Sequence, residues 1–255
     1  MSKFTPRILL ITLCLCLASC SWFGAKEQEP LRDAAAMYQS AKEQAENGSY
    51  EAAIKSYEQL EARYPYGVYA QQAQLDVAHV HYKSGDQGST IAACDRFIKL
   101  YPNHPKVDYA YYLKALALVG TAGSDSFTSF LTPIQPIAER DPKGLEEAFD
   151  IFRYIIAKFP NSIYIEDAQK QIVTIVDALA AHELLVARYY MNRRAPLAAV
   201  NRAQHVLKTF PGSRSTEEAL ALMVEGYERL KMPDLRDDAS RVLKQNYPQS
   251  VFLRK

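Results

Sequence analysis

Glycine is scarce here, ten residues in 255, and there is a single tryptophan against seventeen tyrosines. A chain of many short strands needs turn residues at intervals of about 8 to 12, so this composition speaks against a turn-rich β protein. Charge of one sign is lacking too: 30 Lys and Arg face 29 Asp and Glu, for a formal net charge of +1. Without a basic surplus there is no electrostatic case for nucleic acid or for a polybasic membrane surface. No G-x-S-x-G, phosphate-binding glycine loop or Ca²⁺ loop occurs. The five histidines are not arranged as metal ligands. His182-Glu183 begins like the zinc protease motif, but Val186 stands where its second histidine belongs, and His79 and His81 are two apart, on different sides of a helix. His104 and His205 have no cysteine or carboxylate at metal-ligand spacing, and Glu217-Glu218 and Asp237-Asp238 read as solvated pairs. No catalytic residue, metal or cofactor is expected.

A long hydrophobic run is also missing. The apolar run Ile8 to Ala18 follows Lys3 and Arg7 and is 11 residues long, against roughly 20 for a membrane-spanning helix. It reads as a cleavable secretory leader over residues 1–19. Leu17-Ala18-Ser19-Cys20 resembles the bacterial lipobox, in which cleavage precedes a lipidated cysteine. A single acyl chain holds a protein only marginally and two or more hold it stably, so Cys20 is expected to carry a permanent anchor. Ser21 stands where an aspartate would signal inner-membrane retention, which points to the outer membrane, and 20–33 reads as a lipidated tether.

With Cys14 and Cys16 lost in the leader and Cys20 acylated, Cys94 is the last cysteine and no internal disulfide is possible. It lies in "TIAACDRFI", where a thiol behaves as a small buried hydrophobe. Removing Lys3 and Arg7 takes the mature chain to a net charge near −1. Its 236 residues, what remains of 255 after the first 19, allow one elongated domain or two compact ones.

The main positive signal is a repeat. "EARYPYG", "IKLYPNHP", "IAKFPNS", "LKTFPGS" and "KQNYPQS" each close a helical stretch with an aromatic residue and proline, at Pro65, Pro102, Pro160, Pro211 and Pro248, spaced by 37, 58, 51 and 37. Proline stops a helix, and the polar residues after it supply turn chemistry. Ala53, Ala148 and Ala199 stand twelve residues before their prolines, and "GSYEAAIKSYEQLEARYP" matches the tetratricopeptide pattern of small residue, aromatic and proline. Thr90 and Arg236 depart from it. The expectation is an all-α tetratricopeptide-repeat superhelix of five helical hairpins. Gly48 and Gly85 are placed for left-handed helix caps, Ser215-x-x-Glu218 for a capping box, and Asp141-Pro142 for a helix start.

Two spacings exceed 37. The first excess falls on an inserted loop, 121–140, rich in Gly and Pro and carrying Phe127 and Phe130, of the length that is functional or disordered. The second falls where no Gly or Pro occurs from Ile163 to Ala195, and fourteen extra residues lengthen a helix by about 21 Å. A rigid, protruding helix is expected there.

Two candidate surfaces remain. Tyr38, Lys42, His79, Tyr82 and Lys83 fall on first helices, where stacked hairpins present a concave face, with Tyr64, Tyr66 and Tyr69 nearby. Tyrosines beside cations suit aromatic side chains and a chain-terminal carboxylate. The second is Arg188, Tyr189, Tyr190, Arg193, Arg194 and Arg202, of the residue types that dominate interface hot spots. For both, packing between helices or a solvated face is the alternative.

Lipobox, "RYPYG", "DRFIKLYPNHP", "KFPNS" and "YY…AVNR" in this order, from about Ala34 to about Pro248, resemble the BamD (ComL) family of outer-membrane β-barrel assembly lipoproteins. The resemblance implies a non-enzymatic scaffold facing the periplasm. N-terminal repeats (34–120) would receive targeting signals of unfolded outer-membrane proteins through a groove including Tyr64, Pro65, Tyr66 and Gly67. C-terminal repeats (141–255) would hold the POTRA region of BamA, with Arg202 as a contact, and other lipoproteins such as BamC and BamE. A repeat lipoprotein linking the outer membrane to the cell wall or division apparatus is the alternative function.

Overall fold

The computed structural model describes residues 29–121 and 142–254. Cys20, the tether to residue 28, the inserted loop from 122 on and Asp141 lie outside the described residues. Among the described residues the chain is all-helical: α1 (Glu29–Glu46), α2 (Tyr50–Arg63), α3 (Val68–Lys83), α4 (Gln87–Leu100), α5 (Val107–Thr121), α6 (Lys143–Lys158), α7 (Ile165–Asn192), α8 (Pro196–Thr209), α9 (Thr216–Arg229) and α10 (Pro233–Asn246), then a 3₁₀ turn, Val251–Arg254. The chain falls into two compact units, one ending at Gln74 and one beginning at Leu75, so α3 contributes to both.

The aromatic–proline pairs do what their chemistry predicts. At Tyr64, Tyr101, Phe159, Phe210 and Tyr247 the helix ends with φ between −132° and −121° and ψ between 54° and 68°. The following proline excludes the α conformation from these residues. Each still donates its N–H to the carbonyl four residues back, on Leu60, Phe97, Ile155, Val206 and Leu243. Those five side chains are all buried. The stop and the core anchor are therefore one unit, used five times.

The other end of the hairpins repeats as well. Gly48 and Gly85 are left-handed (φ +78° and +82°), as expected, and Arg194 and Lys231 adopt the same conformation (φ +59° each). In all four turns the left-handed residue donates three residues back and its successor five back, for example Gly48 to Ala45 and Ser49 to Gln44. This closes the orphan carbonyls of the preceding helix. All four positions lie seventeen residues before a helix-ending proline.

Ala53, Ala148 and Ala199 are fully buried, and so is Thr90, whose hydroxyl donates to the Asp86 carbonyl at 2.7 Å instead of facing the core unpaired. Cys94 takes the position that Tyr57 and Phe152 fill in their own hairpins and packs with Ala78 and Leu113. Arg236 stays at the surface, bridging Glu228 at 2.6 Å and Asp237 at 2.7 Å, while Ala239 is buried in its place. Lys114, on α5, is largely buried and reaches Asp95 of α4 (2.9 Å) and Glu147 of α6 (3.0 Å). Burial works against its charge, but the two carboxylates win and raise its pKa.

Two sequence expectations need correction. The lengthened helix exists, as the 28 residues of α7, about 42 Å long, but it does not protrude. Ala168, Ile175 and Leu179 pack with Phe152 and Ile155 in one core, and Ala180, Leu184, Ala187 and Met191 pack with Ala199, Ala203 and Val206 in the next. Its apolar stripe runs the whole length, so both halves are covered. The capping box at Ser215 does not form: Ser215 is helical (φ −79°, ψ −10°) without a side-chain cap, and Glu218 pairs with Arg188 instead. Pro142 already has helical dihedrals, and its carbonyl accepts from Glu146.

Gly226 sits where α9 lies against Val200 of α8. A methyl group built there would overlap the Val200 side chain while making ordinary contact with Met191 and the Pro196 carbonyl, whereas one on Gly88 meets only an Asp86 oxygen at 3.8 Å. Overpacking costs about 1–3 kcal/mol and the helix-propensity gain of Gly→Ala is about 1 kcal/mol. Gly226→Ala should therefore destabilise the protein by up to about 2 kcal/mol while Gly88→Ala leaves it unchanged or stabilises it. Urea midpoints of the pair test this.

Candidate functional site

In the first unit, Tyr38 of α1 lies between Tyr57 and Tyr69, with ring centroids 5.8 and 5.6 Å away. It is part of the packing more than an open surface. Lys42 is exposed and 3.8 Å from Glu46 on the same helix. Tyr64 is half-buried, with the Arg63 guanidinium over its ring at 5.4 Å and Asp33 within 3.4 Å of both side chains. Beyond it the turn opens. Pro65 is exposed, Tyr66 is 93% exposed, and Val68 follows at 70%. Gly67 has φ +126°, a left-handed value that disfavours any side chain, although space for one exists. Of the residues expected here, Tyr66 is the large side chain presented outright.

In the second unit, His79 and Tyr109 share a 2.5 Å hydrogen bond. Burial, then the nearby Lys83 charge, lowers the His79 pKa against an opposing pull from Asp76. Tyr82 packs on the Ala78, Cys94 and Leu113 core and Lys83 is exposed. Rings that the repeat pattern does not single out join His79: Tyr109 and Tyr112 of α5, and Tyr164 before α7. Tyr112 and Tyr164 stack at 4.5 Å, Tyr109 lies 5.5 Å from Tyr164, and the Tyr112 hydroxyl donates to Asp167 at 2.7 Å. Ser162 donates to Asp108 at 2.7 Å. Burial raises the pKa of all three tyrosines, so they remain neutral. The signal was available in "VDYAYYLK", where Tyr109 and Tyr112 are three apart and share a helix face.

The arginine and tyrosine cluster divides into paired and unpaired parts. Arg188 forms an ion pair with Glu218. Arg202 of α8 reaches both carboxylate oxygens of Glu183 on α7, at 3.2 and 3.3 Å, with the Glu183 side chain only 15% exposed. Arg193 lies over the Tyr189 ring at 5.4 Å and donates to its hydroxyl at 3.3 Å. Tyr190 packs against the Leu184 and Ala187 core, and Arg194 is exposed on its left-handed turn. A cavity of about 790 Å³ opens beside the cluster, lined among others by Met191, Leu222, Phe252 and the Arg188–Glu218 and Arg229–Glu225 pairs.

Cys94 is fully buried, and burial pushes its pKa up to about 12, so the thiolate that nucleophilic or metal chemistry requires does not form. Among the described residues no three His, Cys, Asp or Glu side chains are grouped to hold a metal ion, and no helix is long and apolar enough to cross a membrane.

Residues 30–243 match the family profile YfiO, described as an outer membrane lipoprotein. The chain belongs to the YfiO family. Within it, the chain is 40% identical over 251 residues to the outer membrane protein assembly factor BamD of Neisseria meningitidis serogroup B, covering 97% of this chain and 93% of that one. It is 32% identical to BamD of Xylella fastidiosa strain 9a5c (98% and 86% covered) and 32% identical to that of Vibrio cholerae (82% and 86%). Among solved structures, the type IV pilus biogenesis factor PilW aligns over 90% of this chain and 98% of its own, at 12% identity and a TM-score of 0.38. For this YfiO chain, the repeat pattern and the hairpins establish the fold on their own.

The His79 environment makes a pH prediction. A histidine whose folded pKa lies below its unfolded value near 6.5 takes up protons more readily unfolded, so its contribution is complete above that value and lost as pH falls through it. Between about pH 7.5 and about pH 5 the wild type should lose stability, and His79→Asn should lose less over the same interval. Denaturant midpoints across that range measure the difference.

Proposed function

We propose that this chain is a non-enzymatic lipoprotein scaffold in the assembly of outer-membrane proteins, acting through its helical-hairpin surfaces. The observation that carries the reading is a 40% identity spanning 97% of the chain to a relative named as an assembly factor of that kind. Cys20 is the lipid attachment site in this reading. It tethers the chain to the outer membrane, with the hairpins facing the periplasm.

Partner binding is assigned to the second unit. Arg188, Tyr189, Tyr190, Arg193, Arg194 and Arg202 form the surface for the POTRA region of BamA, with assembly lipoproteins such as BamC and BamE held by the same C-terminal repeats. Arg202 is about half exposed yet held by Glu183. That arrangement fixes the guanidinium in place before a partner arrives, which lowers the ordering cost of association. Substrate targeting signals are assigned to Tyr38, Lys42, Tyr64, Pro65, Tyr66 and Gly67 of the first unit and to His79, Tyr82 and Lys83 of the second. Within the first-unit group Tyr66 is the exposed ring and Lys42 the exposed cation, and within the second-unit group Lys83 is the exposed cation.

The Arg202–Glu183 pair dictates the test. Arg202→Glu alone would set two carboxylates against each other, one of them mostly buried, and confuse loss of binding with loss of fold. The double exchange Glu183→Arg/Arg202→Glu keeps an ion pair with its sense reversed. It should match the wild type in helicity and Tm but fail to co-purify with the barrel assembly component. Co-purification at wild-type level by the exchanged protein rules out this contact.

A further inference from the structure

Four hairpins close on the same left-handed turn, and they do not use it alike. In the first two, glycine takes the left-handed position with polar neighbours, Asn47 and Ser49 around Gly48, Ser84 and Asp86 around Gly85. In the last two, "RAPL" (194–197) and "KMPDL" (231–235) put Arg194 and Lys231 there, although every side chain with a Cβ is disfavoured in that conformation. Around these two turns Tyr189, Leu197, Met232 and Leu235 are 44–57% exposed. Isolated exposed apolar residues need no explanation, but grouped ones mark contact surfaces.

The two turns are neighbours within the second unit. Arg229, at the end of α9, donates to the Met191 carbonyl at the end of α7 at 3.0 Å, and Gly226 lies against Met191 and the Pro196 carbonyl. Arg193, Arg194 and Lys231 have no carboxylate partner among the described residues; Asp234 is the one acid within residues 193–197 and 231–235, and the Glu228 carboxylate beside the second turn is paired with Arg236. Left-handed backbone, unneutralised cations and exposed apolar side chains thus occur together at these two neighbouring turns. Strained positions persist where function holds them.

We propose that this edge is a docking surface for a protein segment whose apolar side chains alternate with carboxylates. The proposal rests on the partner-binding reading above and extends its surface from Tyr189, Arg193 and Arg194 to Leu197, Lys231, Met232 and Leu235. Leu197, Met232 and Leu235 supply the apolar contacts, and the three cations select an acidic partner. A membrane surface fits less well, because three cations fall short of the four to eight that mark anionic-lipid binding segments.

Two fluorescent amphipathic helical peptides test the proposal with the full chain at low salt, one pairing its leucine face with glutamates and the other with lysines. The glutamate peptide should bind about tenfold tighter than the lysine peptide, and the advantage should fade with added salt. Arg194→Gly/Lys231→Gly removes two cations and relieves the backbone together. It should weaken binding of the glutamate peptide about tenfold while Tm stays level or rises, a combination that loss of structure does not produce. Leu197→Ser should weaken both peptides. Equal or absent binding of the two peptides, or undiminished binding by the double glycine variant, overturns the proposal. So does binding to phosphatidylglycerol vesicles that competes with the peptide and is lost in the same variant, which would assign the edge to lipid. No assembly component is present in this assay, so its outcome is independent of whether the exchanged Glu183/Arg202 protein co-purifies.

Discussion

The fold depends on one steric conflict, between a proline ring and the backbone of the residue before it. That conflict ends five helices at an aromatic residue with nearly the same dihedrals, and four residues earlier the chain has buried an apolar anchor each time. Fixing the stop relative to the anchor fixes where the chain leaves each second helix. The stop itself is therefore the same wherever it occurs, although the prolines are unequally spaced. The left-handed turns do the same at the opposite end of four hairpins, so those four are bounded by two local devices that act before any long-range contact.

Devices of this kind are local, and they were legible in the sequence. Proline, the preceding aromatic, Gly48, Gly85 and the uninterrupted run of α7 announce themselves by residue type and spacing. What was not legible depends on neighbours distant in sequence. Arg194 and Lys231 carry no mark of left-handedness, since neither residue type favours it; only alignment to Gly48 and Gly85 through the seventeen-residue offset from proline would have exposed them. Ser215-x-x-Glu218 has the letters of a capping box, but Arg188, thirty residues earlier, takes Glu218 for an ion pair. The expectation of a protruding α7 failed for a related reason. Length says how far a helix reaches and leaves open whether a second core receives it.

The candidate surfaces were less readable than the fold. Residue type located the arginines and tyrosines, but exposure separated them: Tyr38 and Tyr82 turn into packing, while Tyr66 and Tyr189 turn out. Glu183 was seen only as half of a failed zinc motif, and its role as holder of Arg202 appears when α7 and α8 are brought together. Tyr109, Tyr112 and Tyr164 join His79 in a neutral, hydrogen-bonded ring stack. That stack shapes the second unit near His79 without offering charge of its own.

The two cores that share α7 carry a further implication. A helix whose first half belongs to one hydrophobic cluster and whose second half belongs to the next denies those clusters independent opening, because exposing either one frays the same hydrogen-bonded rod. Repeat arrays ordinarily open in separate segments, each limited by its own contacts. Here the amides of Ala168 and Ala187 should exchange with solvent as members of one cooperative block, making this stretch a stiff splint inside an otherwise segmented chain.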